Sequence, residues 1–361
     1  MQNVLLCLIV GGIGKRLWPL STKNQPKQLL DLFDNKTLLE LTLNRNAIFD
    51  NILIMYNHEI KDQILEVIKK YSFKNIFLIE EKKQIGTNIC AIIASLVAQK
   101  LKLKNVILLP SDHIISNVIE YRQNLLNGIK KLQNKTKVII FGIKPTFVST
   151  EYGYIEYKKF QDTFYVKKFI EKPKKEHANN LIIQGFVWNS GIYIFNVNYI
   201  INYYNNNFAN KFKNIKDNID INKDNIDIKQ YINNSNIAIQ LKCNKKEYKK
   251  QSIYINLKND IYNLKTSSFD VEIITNLANE NVIKMIPANF DWRDIGSFKS
   301  IYELQKKDIN NNVINSSYKI ILKNVRNCYI FSDIKLKLQN LYNIILIIKN
   351  NNILIKDLAL N

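Results

Sequence analysis

Three glycines and two cations stand together directly behind the first apolar run of the chain. The run VLLCLIV (4–10) is followed by Gly11, Gly12, Gly14, Lys15 and Arg16. Glycines let successive backbone N–H groups face one anion, and the cations add charge, so the segment is typical of a phosphate-binding loop. A tight turn at the end of a strand is the alternative for the glycines alone. The spacing fits neither a Walker A motif nor the dinucleotide fingerprint, because no GK[ST] follows and position 17 is leucine.

Two aspartates stand in segments where a carboxylate could bind a cation. Asp112 follows the apolar run KNVILLP after one residue, Ser111, and Asp294 lies in FDWRDIG. Carboxylate oxygens are ligands that Mg²⁺ prefers in proteins. From the residues alone, a turn or helix cap is the alternative role for both. A third aspartate, Asp270 in SSFDVEII, is expected to organise a helix N-terminus.

Strand-length apolar runs alternate with helix-length amphipathic segments over the first part of the chain. The predicted strands cover 3–10, 51–57, 74–80, 104–110 and 137–143, and the predicted helices 37–49, 59–71, 88–101 and 117–132. This alternation predicts an α/β fold, with a Rossmann-like mixed, mainly parallel sheet covered on both faces. Ligands of such sheets bind at the carboxyl ends of the strands, where the glycine loop and Asp112 both lie.

The pattern changes after residue 153. Hairpin-like strands follow, and an Asn/Lys-rich stretch at about 205–236 contains a near-duplication, KDNIDIN and KDNIDIK. Two copies do not make a repeat protein, so we expect a helix-rich surface insert. Brief β-rich runs at the end predict a small all-β domain over 306–361, after a main domain over 1–305.

Charge and cysteine content bear on partners and location. The formal net charge is +21, but only five of the 52 basic residues are arginine and the lysines are spread throughout. This spread favours compositional drift over a focused groove, so we expect no nucleic acid partner. The four cysteines form no CxxC pair, and the apolar runs are too short to span a bilayer. We expect a protein without membrane contact, located in the cytoplasm.

Seven segments in order carry a family resemblance. They are GGIGKRLWPLSTKNQPKQLL (11–30), LLPSDHII (108–115), FGIKPT (141–146), YGYI (152–155), FIEKP (169–173), WNSGIYIF (188–195) and DWRDIGSF (291–298). Together they resemble the sugar-1-phosphate nucleotidylyltransferases, and most closely the mannose-1-phosphate guanylyltransferases. All three tryptophans of the chain fall within these segments.

The resemblance implies an activity and a set of site residues. It implies transfer of GMP from GTP to mannose 1-phosphate with Mg²⁺, giving GDP-mannose and pyrophosphate. It also implies that 1–305 is the catalytic domain and that 306–361 is a small β-helical domain. Catalytic roles fall on Arg16 and Lys27, and metal binding on Asp112 and Asp294. Nucleotide binding is implied for Gly11, Gly12, Gly14, Lys15, Arg16, Gly86, Asn88, Ser111 and Asp112. Sugar-phosphate binding is implied for Gly153, Glu171, Lys172 and Asn189.

Alternatives remain open at this point. Thr87 stands where the family has arginine in its GRNTAPAI segment, so another base or another hexose 1-phosphate is one alternative. A weakly active homologue that binds sugar nucleotide as a regulatory subunit is another. We expect a short form without an isomerase domain, acting as a homo-oligomer, a dimer.

Overall fold

The computed structural model describes residues 3–33, 35–132, 136–220, 252–278 and 280–359. The chain forms two compact units. The first contains the described parts of 1–10, 44–110 and 117–291, and the second those of 11–43, 111–116 and 292–361. The predicted boundary between 305 and 306 separates a catalytic domain from a small C-terminal domain. It stays a prediction.

Strands outnumber helices among the described residues. The strands are β1 (Val4–Val10), β2 (Asp31–Phe33), β3 (Lys36–Thr37), β4 (Asn51–Asn57), β5 (Asn75–Glu81), β6 (Asn105–Pro110), β7 (His113–Ile115), β8 (Val138–Ile143), β9 (Tyr154–Phe160), β10 (Thr163–Ile170), β11 (Val187–Asn196), β12 (Ile219–Asp220), β13 (Ser252–Leu257), β14 (Ile283–Pro287), β15 (Trp292–Asp294), β16 (Val313–Asn315), β17 (Ile320–Arg326), β18 (Tyr329–Ser332), β19 (Leu336–Tyr342), β20 (Ile344–Lys349) and β21 (Asn352–Asp357). The α-helices are α1 (Leu38–Arg45), α2 (Lys61–Lys69), α3 (Thr87–Lys100), α4 (Val118–Lys131), α5 (Lys175–Ile183), α6 (Val197–Asn207), α7 (Ala209–Asp217), α8 (Thr275–Leu277) and α9 (Phe298–Leu304).

A mixed sheet organises the first unit. Its strand order is β12-β13-β5-β4-β1-β6-β11-β8-β14-β10-β9. The block β13-β5-β4-β1-β6 is parallel, while β11 pairs antiparallel with β6, β8 and β9. The predicted α/β class is confirmed, and so are the five predicted strands, observed as β1, β4, β5, β6 and β8.

The parallel strands are apolar because both of their faces are covered. Strand β1 is buried along its length except at the half-buried Ile9. Helix α3 is buried from Asn88 to Ala98 and packs in the same core. Both sides of such strands must exclude water, so they show continuous apolar runs instead of alternation.

The Asn/Lys-rich stretch is described only up to residue 220, and 221–251 lies outside the described residues. Its first part belongs to α6 and α7. Because Phe212 and Ile215 of α7 are buried in the core of the first unit, this part is not the surface insert that we expected.

The end of the second unit is a strand-rich coil, as predicted. Parallel partners lie 16 residues apart, as in the series Val313, Tyr329 and Ile345. Asn324 and Asn340 have positive φ and share a side-chain hydrogen bond of 2.9 Å. Asparagine tolerates left-handed backbone better than most residues, so it can turn each coil in a chain with only ten glycines.

Among the described residues, no helix is long and apolar enough to cross a bilayer.

Candidate functional site

The glycine-rich loop lines a cavity in the second unit. The cavity measures about 160 Å³. Its lining residues are Gly11, Gly12, Gly14, Arg16, Leu17, Lys27, Asp112, Asp294, Ile295 and Gly296. Complete small-molecule sites usually measure roughly 300–1,000 Å³, so this cavity can take in only part of a nucleotide.

Lys27 lies between the two aspartates at the centre of this cavity. Its Nζ is 2.7 Å from Oδ1 of Asp294 and 3.1 Å from Oδ2 of Asp112. Burial opposes the charge of Lys27, but the two carboxylates outweigh it and raise the pKa of the ammonium. Burial likewise works against the charge of Asp112, and the attraction of Lys27 overcomes it and lowers the pKa of this carboxyl. Lys27 and Asp112 are therefore both ionised near neutral pH.

A short strand pair brings the aspartates together. Strand β7 pairs antiparallel with β15, and Asp294 lies opposite His113, the residue after Asp112. The indole Nε1 of Trp292 donates a hydrogen bond of 3.1 Å to Nδ1 of His113. This bond fixes the buried imidazole ring and leaves Nε2 as the histidine nitrogen that faces Asp112, at 3.9 Å.

Two polar side chains and one close contact shape the glycine loop. The amide Nε2 of Gln28 donates to the carbonyl of Gly11, and Oγ of Ser21 donates to the carbonyl of Gly14 at 2.6 Å. Gly14 has φ of 71°, and a Cβ there would lie 2.8 Å from Cβ of Lys27. Only glycine allows this backbone conformation and this approach of Lys27 together.

The donor set fits a hard divalent cation. Asp112 and Asp294 offer carboxylate oxygens, which lie with a ring nitrogen of His113 within 4.8 Å of one another. Because Nδ1 of His113 accepts the bond from Trp292, Nε2 of the neutral ring carries the proton and does not serve as a ligand. The ammonium of Lys27 lies in contact with both carboxylates, which shows that they accommodate a positive charge. Oxygen ligands of this kind suit Mg²⁺.

Of the remaining predicted site residues of the second unit, one lines the cavity and two do not. Arg16 lines the cavity, and a Cβ on Gly296 would lie 3.2 Å from its Nη2. Lys15 is exposed and Ser111 is fully buried, and neither belongs to the cavity lining. The carbonyl of Ser111 accepts a hydrogen bond of 3.2 Å from Oγ1 of Thr42.

In the first unit, Gly86 and Asn88 contact a neighbouring backbone segment. Gly86 has φ of 83°, and a Cβ there would lie 2.8 Å from the carbonyl oxygen of Ser267. Asn88 Nδ2 donates to Oγ of Ser267 at 3.2 Å, and the backbone N–H of Phe269 donates to Oγ1 of Thr87 at 2.9 Å. The start of α3 therefore fixes residues 267–269.

The four predicted sugar-phosphate residues lie together in the first unit. The N–H of Asn189 donates to the carbonyl of Gly153 at 2.8 Å, and a Cβ on Gly153 would lie 2.9 Å from Oε2 of Glu171. Lys172 pairs with Glu171 at 3.2 Å and has φ of 43°, which is unusual for a residue with a side chain.

A polar network that the sequence did not reveal extends from Asn189. Its Nδ2 donates to Oη of Tyr193 at 2.8 Å and to Oδ1 of Asp270 at 2.7 Å, and the Tyr193 hydroxyl donates to the same Asp270 oxygen. Burial, and after it the carboxylate of Glu171, raise the pKa of Asp270 to about 6. Asp270 begins a π-helical turn, Asp270–Ile274, but its carboxylate binds strand β11 and makes no side-chain cap.

Comparison with known proteins agrees with this geometry. The model of the family described as "Nucleotidyl transferase" matches residues 6–311, which include every residue of the cavity and of the polar network. The chain belongs to the nucleotidyl transferase family. The resemblance seen in the seven sequence segments is thereby confirmed at the level of the family.

Two curated relatives of this nucleotidyl transferase have names that agree with the family. A protein of Escherichia coli named "Mannose-1-phosphate guanylyltransferase" is 27% identical over 331 residues, covering 87% of this chain and 64% of the relative. One from Sinorhizobium fredii with the same name is 31% identical over 209 residues, covering 56% of this chain and 41% of the relative. The chain thus spans less than two thirds of the length of these relatives.

A solved structure supports the fold. The structure from Thermus thermophilus titled "mannose-1-phosphate geranyltransferase" has a TM-score of 0.78 and 21% identity, and the match covers 99% of this chain and 96% of that one. At this identity the likeness shows the fold alone.

Several residues that shape the site could not be singled out from the sequence. Gln28 and Tyr193 lie within the matched segments, but no motif distinguished them. Tyr193 had a usable signal, because residues four apart in a strand share one face and Asn189 was already a candidate. Asp270 was expected only to organise a helix N-terminus, and no local signal linked it to Tyr193, since 77 residues separate the two.

Proposed function

We propose that this nucleotidyl transferase family member transfers GMP from GTP to mannose 1-phosphate, producing GDP-mannose and pyrophosphate. The observation that carries the proposal is the cavity in which Arg16, Lys27 and two aspartates lie beside the glycine loop. The names of the curated relatives support the choice of guanine and mannose.

The reaction needs charge compensation more than proton transfer. An oxygen of the sugar phosphate attacks the α-phosphorus, a new P–O bond forms, and the bond to the bridging oxygen of the leaving pyrophosphate breaks. The attacking oxygen is already ionised, so no protein base is required. The barrier arises from bringing two anions together and from charge on the phosphoryl oxygens, which fixed cations offset.

Cationic side chains of the chain supply this compensation. We assign the triphosphate to the backbone N–H groups from Gly11 to Gly14 and to Arg16. Lys27 contacts the reacting phosphates in this proposal, because its ammonium is buried, held in place and charged. Lys172 neutralises the sugar phosphate, and Glu171 accepts hydrogen bonds from sugar hydroxyls.

Asp112 and Asp294 would hold Mg²⁺, as their carboxylate oxygens fit this cation. When bound, the ion supplies positive charge to the phosphate oxygens of the nucleotide. We further propose that the protein acts in the cytoplasm. We also propose that it forms a homodimer, and light scattering of the purified chain would test this oligomeric state.

A pyrophosphate-release assay tests the activity. It should combine ATP, CTP, GTP and UTP with mannose, glucose and galactose 1-phosphates, each with Mg²⁺ and with EDTA. We expect release with GTP and mannose 1-phosphate that EDTA abolishes. Release with a different pair would replace the substrates but keep the reaction class. The absence of release from folded protein with every pair would reject the proposal and favour a regulatory, non-catalytic homologue.

A further inference from the structure

Asn189, Tyr193 and Asp270 form a closed set of hydrogen bonds in the first unit. Nδ2 of the Asn189 amide lies 2.8 Å from Oη of Tyr193 and 2.7 Å from Oδ1 of Asp270, and because these two oxygens are hydrogen-bonded to each other, one amide N–H faces both. The Tyr193 hydroxyl donates to the same oxygen. The backbone N–H of Asn189 is donated to Gly153. One side-chain N–H and the backbone N–H of Asn189 are therefore committed within the protein.

The three residues also differ in how much of their surface is exposed to solvent. Asn189 and Tyr193 are buried, with 8% and 4% of their surfaces exposed, whereas Asp270 is half-buried. Both side-chain donors bind Oδ1 of Asp270, and the backbone N–H of Asp270 also donates to its own carboxylate. The side-chain network therefore fixes Asp270 through Oδ1, and Oδ2 keeps acceptor capacity because a carboxylate accepts about four hydrogen bonds.

The surrounding charges indicate what this acceptor binds. The carboxylate of Glu171 is close enough to repel Asp270, and Lys172 is close enough to attract it. Two neighbouring carboxylates repel a phosphate and are stabilised by hydroxyl donors, while a lysine beside them suits the phosphate. A sugar phosphate offers both kinds of group on one molecule.

We propose that Asp270 contacts the hexose directly, accepting a hydrogen bond from one ring hydroxyl at Oδ2, while Asn189 and Tyr193 are positioning residues that hold it. This inference rests on the proposed function and deepens it, because it adds Asp270 to the residues that contact the sugar. Local irregularities accompany the assignment. Asp270 begins a π-helical turn, and β11 has a bulge against β8 between Asn189 and Tyr193. Both kinds of irregularity occur often at functional sites.

The test is a substrate-and-variant cycle. Asp270→Asn keeps Oδ1 as an acceptor for both donors and turns Oδ2 into a donor. With the NTP that the wild type uses, we expect KM for the hexose 1-phosphate to rise about tenfold or more, since a hydrogen bond to a charged group is lost. KM for the NTP should not change. The wild type should also discriminate against one monodeoxy hexose 1-phosphate, and Asp270→Asn should lose that discrimination.

Tyr193→Phe tests the positioning role. It removes one of the two donors to Asp270, so we expect a smaller rise in KM for the sugar phosphate with little change in kcat. Tyr121→Phe and Asp162→Asn are matched controls, because Tyr121 is a buried hydrogen-bonded tyrosine bound to Asn46 and Asp162 is exposed in a turn. Both controls should match the wild type.

The outcomes separate this inference from the proposed function. A wild type without turnover on any pair rejects the proposed function. A wild type with turnover, combined with an Asp270→Asn variant that keeps its discrimination among deoxy sugars, overturns only the role of Asp270. An equal rise in both KM values also overturns it, since that indicates a structural effect. If Asp270→Asn does not fold, Tyr193→Phe decides by the same comparison of KM values.

Discussion

Lys27 and Asp294 are 267 residues apart in the chain, yet Nζ of the lysine lies 2.7 Å from Oδ1 of the aspartate. The same ammonium lies 3.1 Å from Oδ2 of Asp112. The lysine thus acts as the counter-ion of two partly buried carboxylates. Any ligand that binds these carboxylates must compete with Lys27 or share them with it.

Removing this counter-ion should destabilise the protein. Lys27→Met leaves the two aspartates as like charges without their partner. We expect this to lower the free energy of unfolding by about 3 kcal/mol. This is the lower end of the cost of breaking a buried ion pair, because the aspartates keep some solvent contact. Millimolar Mg²⁺ should recover part of this loss, since the cation would replace the ammonium. Urea unfolding with and without Mg²⁺ measures both effects. The exposed Lys23→Met is the matched control, and equal stability of the two variants would contradict the counter-ion role.

The aspartates should matter more for turnover than for folding. Asp112→Asn keeps the shape of the side chain and removes the charge that a cation needs, so we expect the rate of pyrophosphate release to fall by at least about a hundredfold. The melting temperature should change little by comparison. Asp291→Asn, three residues before Asp294 and exposed, serves as the control. Undiminished turnover in Asp112→Asn would remove its role in metal binding.

A buried glutamate in the first unit makes stability depend on pH. Burial raises the pKa of Glu81 to about 7, and Sγ of Cys90 lies 3.6 Å from its Oε1. Between the ordinary glutamate pKa of 4.5 and this value, the folded protein keeps a proton that the unfolded chain releases. Stability should therefore fall as pH rises through this window, by on the order of 3 kcal/mol.

Glu81→Gln should remove this pH dependence. The variant cannot ionise, so its free energy of unfolding relative to the wild type should increase between pH values of about 5 and 8. Urea unfolding at both pH values measures the change, and the exposed Glu66→Gln is the control. A constant difference between wild type and Glu81→Gln at both pH values would show that Glu81 is not protonated in the fold.

The sequence predicted the parallel part of the first unit well because apolar runs and their lengths carry that information. The runs at 51–57 and 104–110 have the bounds of β4 and β6 within one residue. Burial on both faces requires such runs, so pattern and structure agree. The stretch after residue 205 was harder, because its asparagines and lysines conceal the two apolar residues that α7 buries.

Side-chain partners were predictable only where a motif named them. Lys27, Asp112 and Asp294 could be grouped by resemblance, but their direct contact depends on the pairing of β7 with β15. The bond between Trp292 and His113 and the network around Asp270 arise from long-range contacts. No local pattern encodes such contacts, because they depend on how distant segments fold together.

Gly14 allows the cost of a left-handed backbone conformation to be separated from the cost of a steric clash with an added Cβ. Gly14→Ala places a Cβ at φ of 71° and only 2.8 Å from Cβ of Lys27. Gly185→Ala has a similar φ of 84°, but nothing lies within 4 Å of its Cβ. Gly185→Ala should therefore cost only the left-handed backbone strain, about 1–2 kcal/mol. Gly14→Ala should cost more in urea unfolding and should also abolish most pyrophosphate release, because Lys27 must move. Equal costs and unchanged release in both variants would show that the loop tolerates a side chain and that the position of Lys27 does not depend on Gly14.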